Sequence, residues 1–463
     1  MPARQLPLHP DLAHLKYQAK DLRSDHRTRT PDAVRRIREF HPRFSDASDA
    51  AIAASAVTQS DALLTIAREY GFASWPKLKL HVEGLEAAER IVSDLRTQFA
   101  QGDGAARRQI LKPAHARERF ENYDPDAASL SEADARLLLA NQEGYAFWDK
   151  YDSYLHLDPS VQGVIAAVRC GDRESLLEIL RDEPWASNPR WVAGFASPAH
   201  APNDSHPLFC VSEASHRGTN TRANEYELVR DLASAGAEVE IQRGMPFIAA
   251  VSFNAIRAAE ALLDCGAAVD GVDGDGTPLA YAVHFGYREM AGLLAQRGAK
   301  LDLRFAAGLG VLDEVKRWFN ADGSLQPGAG ALVDPYAYER KVRNESPFHC
   351  ERTRENILSQ ALCFACLNGR LDVADFLLSQ GAQINAIVPG LDSRATILHL
   401  AVSANGGPRH MPWSMGPVVR FLVEHGADVT TCDERYRSTP LGWALHLGRD
   451  EAAELLRPLR ASE

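Results

Sequence analysis

The chain has 463 residues, 45% of them hydrophobic and 24% charged, a composition that favours neither disorder nor a membrane class. No stretch approaches the roughly 18 consecutive apolar residues of a membrane span, and MPARQLPLHPDLAHLK lacks the apolar core of a secretory signal, so a cytoplasmic location is expected. The formal charge of -11 offers no basic footprint for nucleic acid, and neither a nucleic-acid nor a membrane partner is expected.

In chain order, the first basic stretch is Arg23 to Arg43, with Arg27, Arg29, Arg35, Arg36 and Arg38 at a spacing that suits the wet side of helices. Residues 1–158 then show a long internal echo. SDALLTIAREYGFASW (60–75) reappears as ADARLLLANQEGYAFW (133–148), with Gly71 matching Gly144 and Trp75 matching Trp148, 73 residues on. Each copy reads as an apolar-periodic helix, a glycine stop and an aromatic pair, with Leu63, Leu64, Ile66 and Ala67 answered by Arg136, Leu137, Leu139 and Ala140. Two helical units are therefore expected, 1–84 and 85–158, the second a duplicate of the first, with their Trp and Tyr side chains in the core.

From residue 159 to about 460 the period shortens. Five Gly-Ala pairs follow apolar helical stretches, at Gly236, Gly266, Gly298, Gly381 and Gly426, the first three 30 and 32 residues apart. Helix starts precede them at Thr277-Pro278-Leu279, Thr396-Ile397-Leu398-His399 and Thr439-Pro440-Leu441. Threonine at such a start can accept backbone N–H groups, proline presets the first φ, and glycine after the second helix takes the left-handed conformation. These segments resemble the ankyrin repeat (T-P-L-H-x-A, short helix, glycine, second helix ending L-L-x-x-G-A). The 60–75 region with HLKYQAKDL upstream also looks like the helical leader of some bacterial ankyrin proteins. The resemblance implies an all-α chain in which the N-terminal helical domain is followed by a solenoid of about seven to eight helical hairpins, starting near 159, 204, 243, 275, 301, 356, 394 and 437. Insertions near 181–205, 320–353 and 405–416 break the period, and loops of that length tend to be functional.

Catalytic motifs of the common kinds are lacking: there is no G-x-S-x-G, P-loop, H-E-x-x-H or dinucleotide fingerprint. Cys363 and Cys366 form a C-x-x-C inside an apolar helix, where core packing is expected, and the seven scattered cysteines suggest no disulfide framework, no metal site and no cofactor. His399 matches the ankyrin T-P-L-H histidine, whose role by resemblance is to bond threonine and neighbouring backbone. His425 suits the end of an outer helix.

Counting from each helix start, the residues expected to line the concave face run from Cys210, Glu213 and Ala214 through Ala249, Ser252 and Phe253 to Tyr281, His284 and Phe285, then Phe305, Gly308 and Leu309. They continue with Phe364, Leu367 and Asn368, Leu400, Ser403 and Ala404, and Trp443, His446 and Leu447. Phe253, Phe285, Phe364, Asn368 and Trp443 are the candidate ligand-binding residues of this aromatic face, with few charges. They pack equally well as an extra core.

Two functions follow. One is a binding protein whose groove holds a protein, a peptide or a small apolar ligand, as extended repeat surfaces do. The other is a cofactor-independent enzyme, since the chain is similar in general architecture to ankyrin-like bacterial enzymes that close a polyketide ring by Knoevenagel condensation of an aldehyde with a 1,3-dicarbonyl carbon. In that case Glu213 or His284 takes the C–H proton, and Tyr281 or His446 hydrogen-bonds the aldehyde oxygen.

Overall fold

The protein was analysed as a computed structural model that describes residues 4–7, 9–115, 129–192, 195, 202–330, 351–388, 394–404 and 414–460. Of the predicted insertions, residues 193–194, 196–201, 331–350 and 405–413 lie outside the described residues. The described residues are helical, with three isolated β-bridges and no strand, and none of their helices is long and apolar enough to cross a membrane.

The chain divides into two compact units. The first comprises 1–214 with 219–222 and 231–237; the second comprises 215–218, 223–230 and 238–463.

In the first unit, helices Leu12–Arg27, Pro31–Phe40, Asp49–Ala54 and Gln59–Glu69 close a core that runs from Leu15 to Val82. The 27-residue helix Trp75–Gln101 carries the chain into a second core, from Ala88 to Leu155, shared with Gly104–His115, Glu132–Gln142 and Trp148–Leu155. The echoed segments share their local construction. Thr58 and Ser131 cap their helices by accepting the N–H of Asp61 and Asp134, Gly71 and Gly144 both sit at φ 86°, and the next N–H returns to Ala67 or Ala140. The buried stripe is Ala62, Thr65, Ile66, Ala67 and Glu69 in one copy and Ala135, Leu138, Leu139 and Ala140 in the other. Arg136, which interrupts the apolar pattern, stays at the surface on Glu89 and Glu132, with its guanidinium over Trp148. The basic stretch is only partly solvated. Arg35 is an exposed partner of Asp32, whereas Arg36 is 14% exposed and bound to the buried Glu69.

Eight helical hairpins follow: Pro159–Cys170 with Arg173–Asp182, Pro207–Arg217 with Glu225–Ser234, Ile241–Ser252 with Ile256–Asp264, and Thr277–His284 with Arg288–Gln296. The rest are Leu303–Leu309 with Leu312–Arg317, Arg354–Leu367 with Leu371–Ser379, Ile397–Ser403 with Gly416–Glu424, and Pro440–His446 with Asp450–Arg460. The glycines of all five Gly-Ala pairs have φ between 87° and 100°, the left-handed conformation that ends the outer helix. Successive hairpins are too small to bury their own apolar faces, and the last four share one core from Leu303 to Leu456. Cys363 and Cys366 lie within it, fully buried, and burial pushes the Cys366 thiol up to about 12.

The helix starts differ from one another. Thr439 accepts the N–H of Gly442 as an N-cap, Thr277 lies inside its helix and donates to Asp275, and Thr396 bonds His399 instead. Gly276, at φ 79°, takes the capping position before Thr277, and a side chain there would collide with the Phe305 ring at 2.6 Å.

Candidate binding surface

Between hairpins of the second unit, extended fingers are tied one to the next by a recurring bond. Glu240, Asp270 and Asn385, each four residues after a Gly-Ala glycine, accept the backbone N–H of Ala268, Lys300 and Asp428 in the following finger, at 2.7, 2.9 and 2.8 Å. Each of those N–H groups lies two residues after the next glycine, so the bond is part of the repeat itself. Three of the fingers each carry one exposed large apolar side chain: Val272 is 48% exposed, Ile387 40% and Tyr436 61%. Arg243 pairs with Asp273, and Arg394 with Glu434, beside these tips.

The inner helices of the second unit hold most of the predicted groove residues, and the majority are buried by their neighbours. Tyr281 and Phe285 lie one helical turn apart with ring centroids 5.6 Å apart, and His284 sits 4.9 Å from Phe285. Tyr281 is 3% exposed, Phe285 is buried and His284 half-buried. Phe364 stacks on Phe305. Asn368 donates through Nδ2 to the Val283 carbonyl at 2.7 Å and to the Phe364 carbonyl at 2.8 Å, and its own carbonyl accepts from Arg288. Tyr281, His284, Phe285, Phe364 and Asn368 are thus drawn into one packed region centred on the helices Thr277–His284 and Arg354–Leu367.

The remaining candidates stand elsewhere. Phe253 is half-buried against His216, with ring centroids 4.7 Å apart. Trp443 donates its indole N–H to Asp433 at 3.0 Å and packs edge-on to His399. His446, one helical turn after Gly442, is exposed. Glu213 belongs to the first unit, buried beside Arg169 at 3.6 Å, and Arg169 also donates to the Tyr145 hydroxyl at 2.7 Å. The arrangement around His399 matches the role implied by the T-P-L-H pattern: Nδ1 lies 2.8 Å from the Thr396 hydroxyl, and Nε2 lies 3.0 Å from the Ser438 carbonyl.

Residues 220–304 and 362–462 match a model of ankyrin repeats in three copies. The hairpins within those two stretches have the ankyrin-repeat fold. Among solved structures, the ankyrin repeat domain of Bcl-3, described as a unique member of the IkappaB protein family, is 20% identical, covering 62% of this chain and 97% of its own, with a TM-score of 0.27. The human ASB11 ankyrin repeat domain is 22% identical, covering 54% of this chain and 97% of its own, with a TM-score of 0.24. A search of curated proteins returns no match.

The ankyrin fingers carry the surface residues that the sequence reading passed over. Val272 and Tyr436 stand in G-V-D-G-D-G and E-R-Y-R-S, turn-forming segments where a lone large side chain has no core to enter. That mismatch is the signal by which they are found.

Proposed function

We propose that this chain is an ankyrin-repeat binding protein that holds a protein or peptide partner against its finger tips. The observation that carries the reading is the series Val272, Ile387 and Tyr436, exposed apolar side chains on fingers each tied by a side-chain bond to a neighbouring finger, Ile387's to Tyr436's and Val272's to the fingers on either side of it. A row of exposed apolar anchors on a rigid frame loses little entropy when a partner docks, which is what a binding surface needs. The inner aromatic row supports the surface from behind, since Tyr281, Phe285 and Phe364 are packed between hairpins.

Acid–base condensation by Glu213, Tyr281, His284 and His446 has less support. Glu213 is buried against Arg169 at 3.6 Å, and Tyr281 is 3% exposed. Binding is therefore the better-supported reading.

The test is affinity purification from the native cell with the intact chain and with a Val272→Asp/Tyr436→Asp variant of unchanged melting temperature. A polypeptide retained by the intact chain and lost by the variant is expected. Equal retention by both would remove the finger tips from the interface.

A further inference from the structure

The first unit contains a cleft that the ankyrin reading does not use. It has a volume of about 380 Å³ and lies between the turn after Gln59–Glu69 and the segment after Arg173–Asp182. A smaller hollow of about 170 Å³ adjoins it and shares Gly71, Phe72, Asp158 and Arg190. Gly71 and Ala73 keep one wall low, while Phe40, Phe72 and Trp185 give the cleft apolar sides.

The charges around it are unevenly committed. Glu183 is occupied by Lys77 and by the Ser160 hydroxyl, and Glu39 lies 3.6 Å from Arg35. Asp158 is buried at the floor, where its carboxylate accepts the Ser160 N–H at 3.0 Å. The two cations are not committed in this way. Arg68 and Arg190 are exposed at the rim, and neither guanidinium makes a hydrogen bond to a carboxylate among the described residues; that of Arg190 rests on the face of Trp185 at 4.5 Å. Glu183 and Asp158 are thus engaged, Glu39 stands half-exposed at the edge, and Arg68 and Arg190 are the guanidinium donors at the mouth, the charge of Arg190 also acting on Asp158 and Glu183.

We propose that this cleft binds a small apolar carboxylic acid, its carboxylate between Arg68 and Arg190 and its hydrocarbon body against Phe72, Phe40 and Trp185. Guanidinium groups present paired N–H donors that match a carboxylate, and the three aromatic side chains give an apolar wall beside them for a hydrocarbon body. Arg190 stays on the indole while it does so, since a guanidinium stacked on a ring still has its N–H edge available.

The probe is phenylacetate, titrated into the full chain by ligand-observed NMR and tryptophan fluorescence, with phenylacetamide and acetate as controls. Saturable binding of phenylacetate is expected, with the amide and acetate each weaker by about tenfold or more, the loss of one charge-assisted contact or of the apolar contact respectively. Arg68→Gln and Arg190→Gln, both at exposed positions that the fold does not need, are each expected to weaken phenylacetate about tenfold and leave the amide unchanged. Trp185→Leu, checked by its melting curve, is expected to weaken all three ligands' contact with the apolar wall in proportion to their hydrocarbon. Equal affinity for phenylacetate and its amide overturns the proposal. So does equal affinity for acetate, full binding by the Arg68→Gln/Arg190→Gln double variant, or the absence of saturation by phenylacetate at concentrations on the order of 10 mM.

Discussion

Arg36 closes both oxygens of the buried Glu69 carboxylate, Nε to Oε1 at 2.6 Å and Nη2 to Oε2 at 2.9 Å. Glu69 ends the helix of the first echoed segment, so this pair fixes Pro31–Phe40 against Gln59–Glu69. Removing Arg36 leaves the buried Glu69 carboxylate with only the half-exposed Arg4, 3.4 Å away, in place of its bidentate partner, which costs more than the intact pair contributes. Arg36→Ala is expected to lower stability by about 3 kcal/mol in urea unfolding, and Arg35→Ala, on the exposed neighbour, by under about 0.5 kcal/mol. Equal losses would show that the bidentate contact has no special weight.

Asn368 distinguishes a ligand-holding role from a packing role. Its amide bonds the Val283 carbonyl across a hairpin boundary at 2.7 Å, and Asn368→Ala leaves that buried acceptor only the longer bond from the Gly286 N–H at 3.3 Å. A loss of about 2 kcal/mol is expected from thermal or urea melts. An unchanged melting temperature with weakened ligand binding would assign the residue to the groove instead.

His399 is held in one tautomer. The Ser438 carbonyl can only accept, so Nε2 carries the proton and Nδ1 accepts from the Thr396 hydroxyl. Burial holds its pKa below the ordinary value, which keeps this neutral form at neutral pH. His399→Phe and Thr396→Val are each expected to cost about 1 to 2 kcal/mol, and the double variant less than their sum by about 1 kcal/mol. Strict additivity would break the inferred link.

His81 predicts an acid sensitivity. The ring is 3% exposed, packs against Phe72 and His156, and neither of its nitrogens has a hydrogen bond among the described residues, so burial and then the neighbouring His156 drive its pKa from 6.5 to about 3. The folded chain therefore leaves His81 neutral while the unfolded chain takes up a proton below pH 6.5. Stability from this group is complete above that pH and falls as pH drops toward 3. Between pH 7 and 5.5 the loss is about 1 kcal/mol. Urea midpoints of His81→Leu, compared with the parent chain, are expected to lack that part of the slope; identical slopes would place the acid sensitivity elsewhere.

The hairpins were legible because their glycines are obligatory. At φ near 90° after each outer helix, a side chain is strained, so Gly236, Gly266, Gly298, Gly381 and Gly426 mark the period in the sequence itself. The destination of the inner aromatics was not legible, since the same i, i+4 spacing that aims Tyr281 and Phe285 into a groove also aims them at the next hairpin. Arg304 shows the limit from the other side. In LDLRFAAGL it reads as a surface residue, yet it is 1% exposed, bonded to Asp302 and Gln360 and laid over Phe305. Asp302 takes two of the Arg304 N–H groups from within the same segment, and Gln360, 56 residues on, takes another that no local pattern announces. The cleft in the first unit was hidden for the same reason, because Arg68 and Arg190 are separated by more than a hundred positions and meet only once the helices are placed.

The turns that follow the two echoed helices of the first unit differ by a hydroxyl. Where the first copy has Phe72, the second has Tyr145, and the added hydroxyl receives Arg169 from the opening hairpin of the array. Arg169 in turn lies against Glu213 of the next hairpin. Tyr145→Phe keeps the ring and the guanidinium over its face and removes the oxygen contact alone, so a single atom separates a packing residue from an anchor.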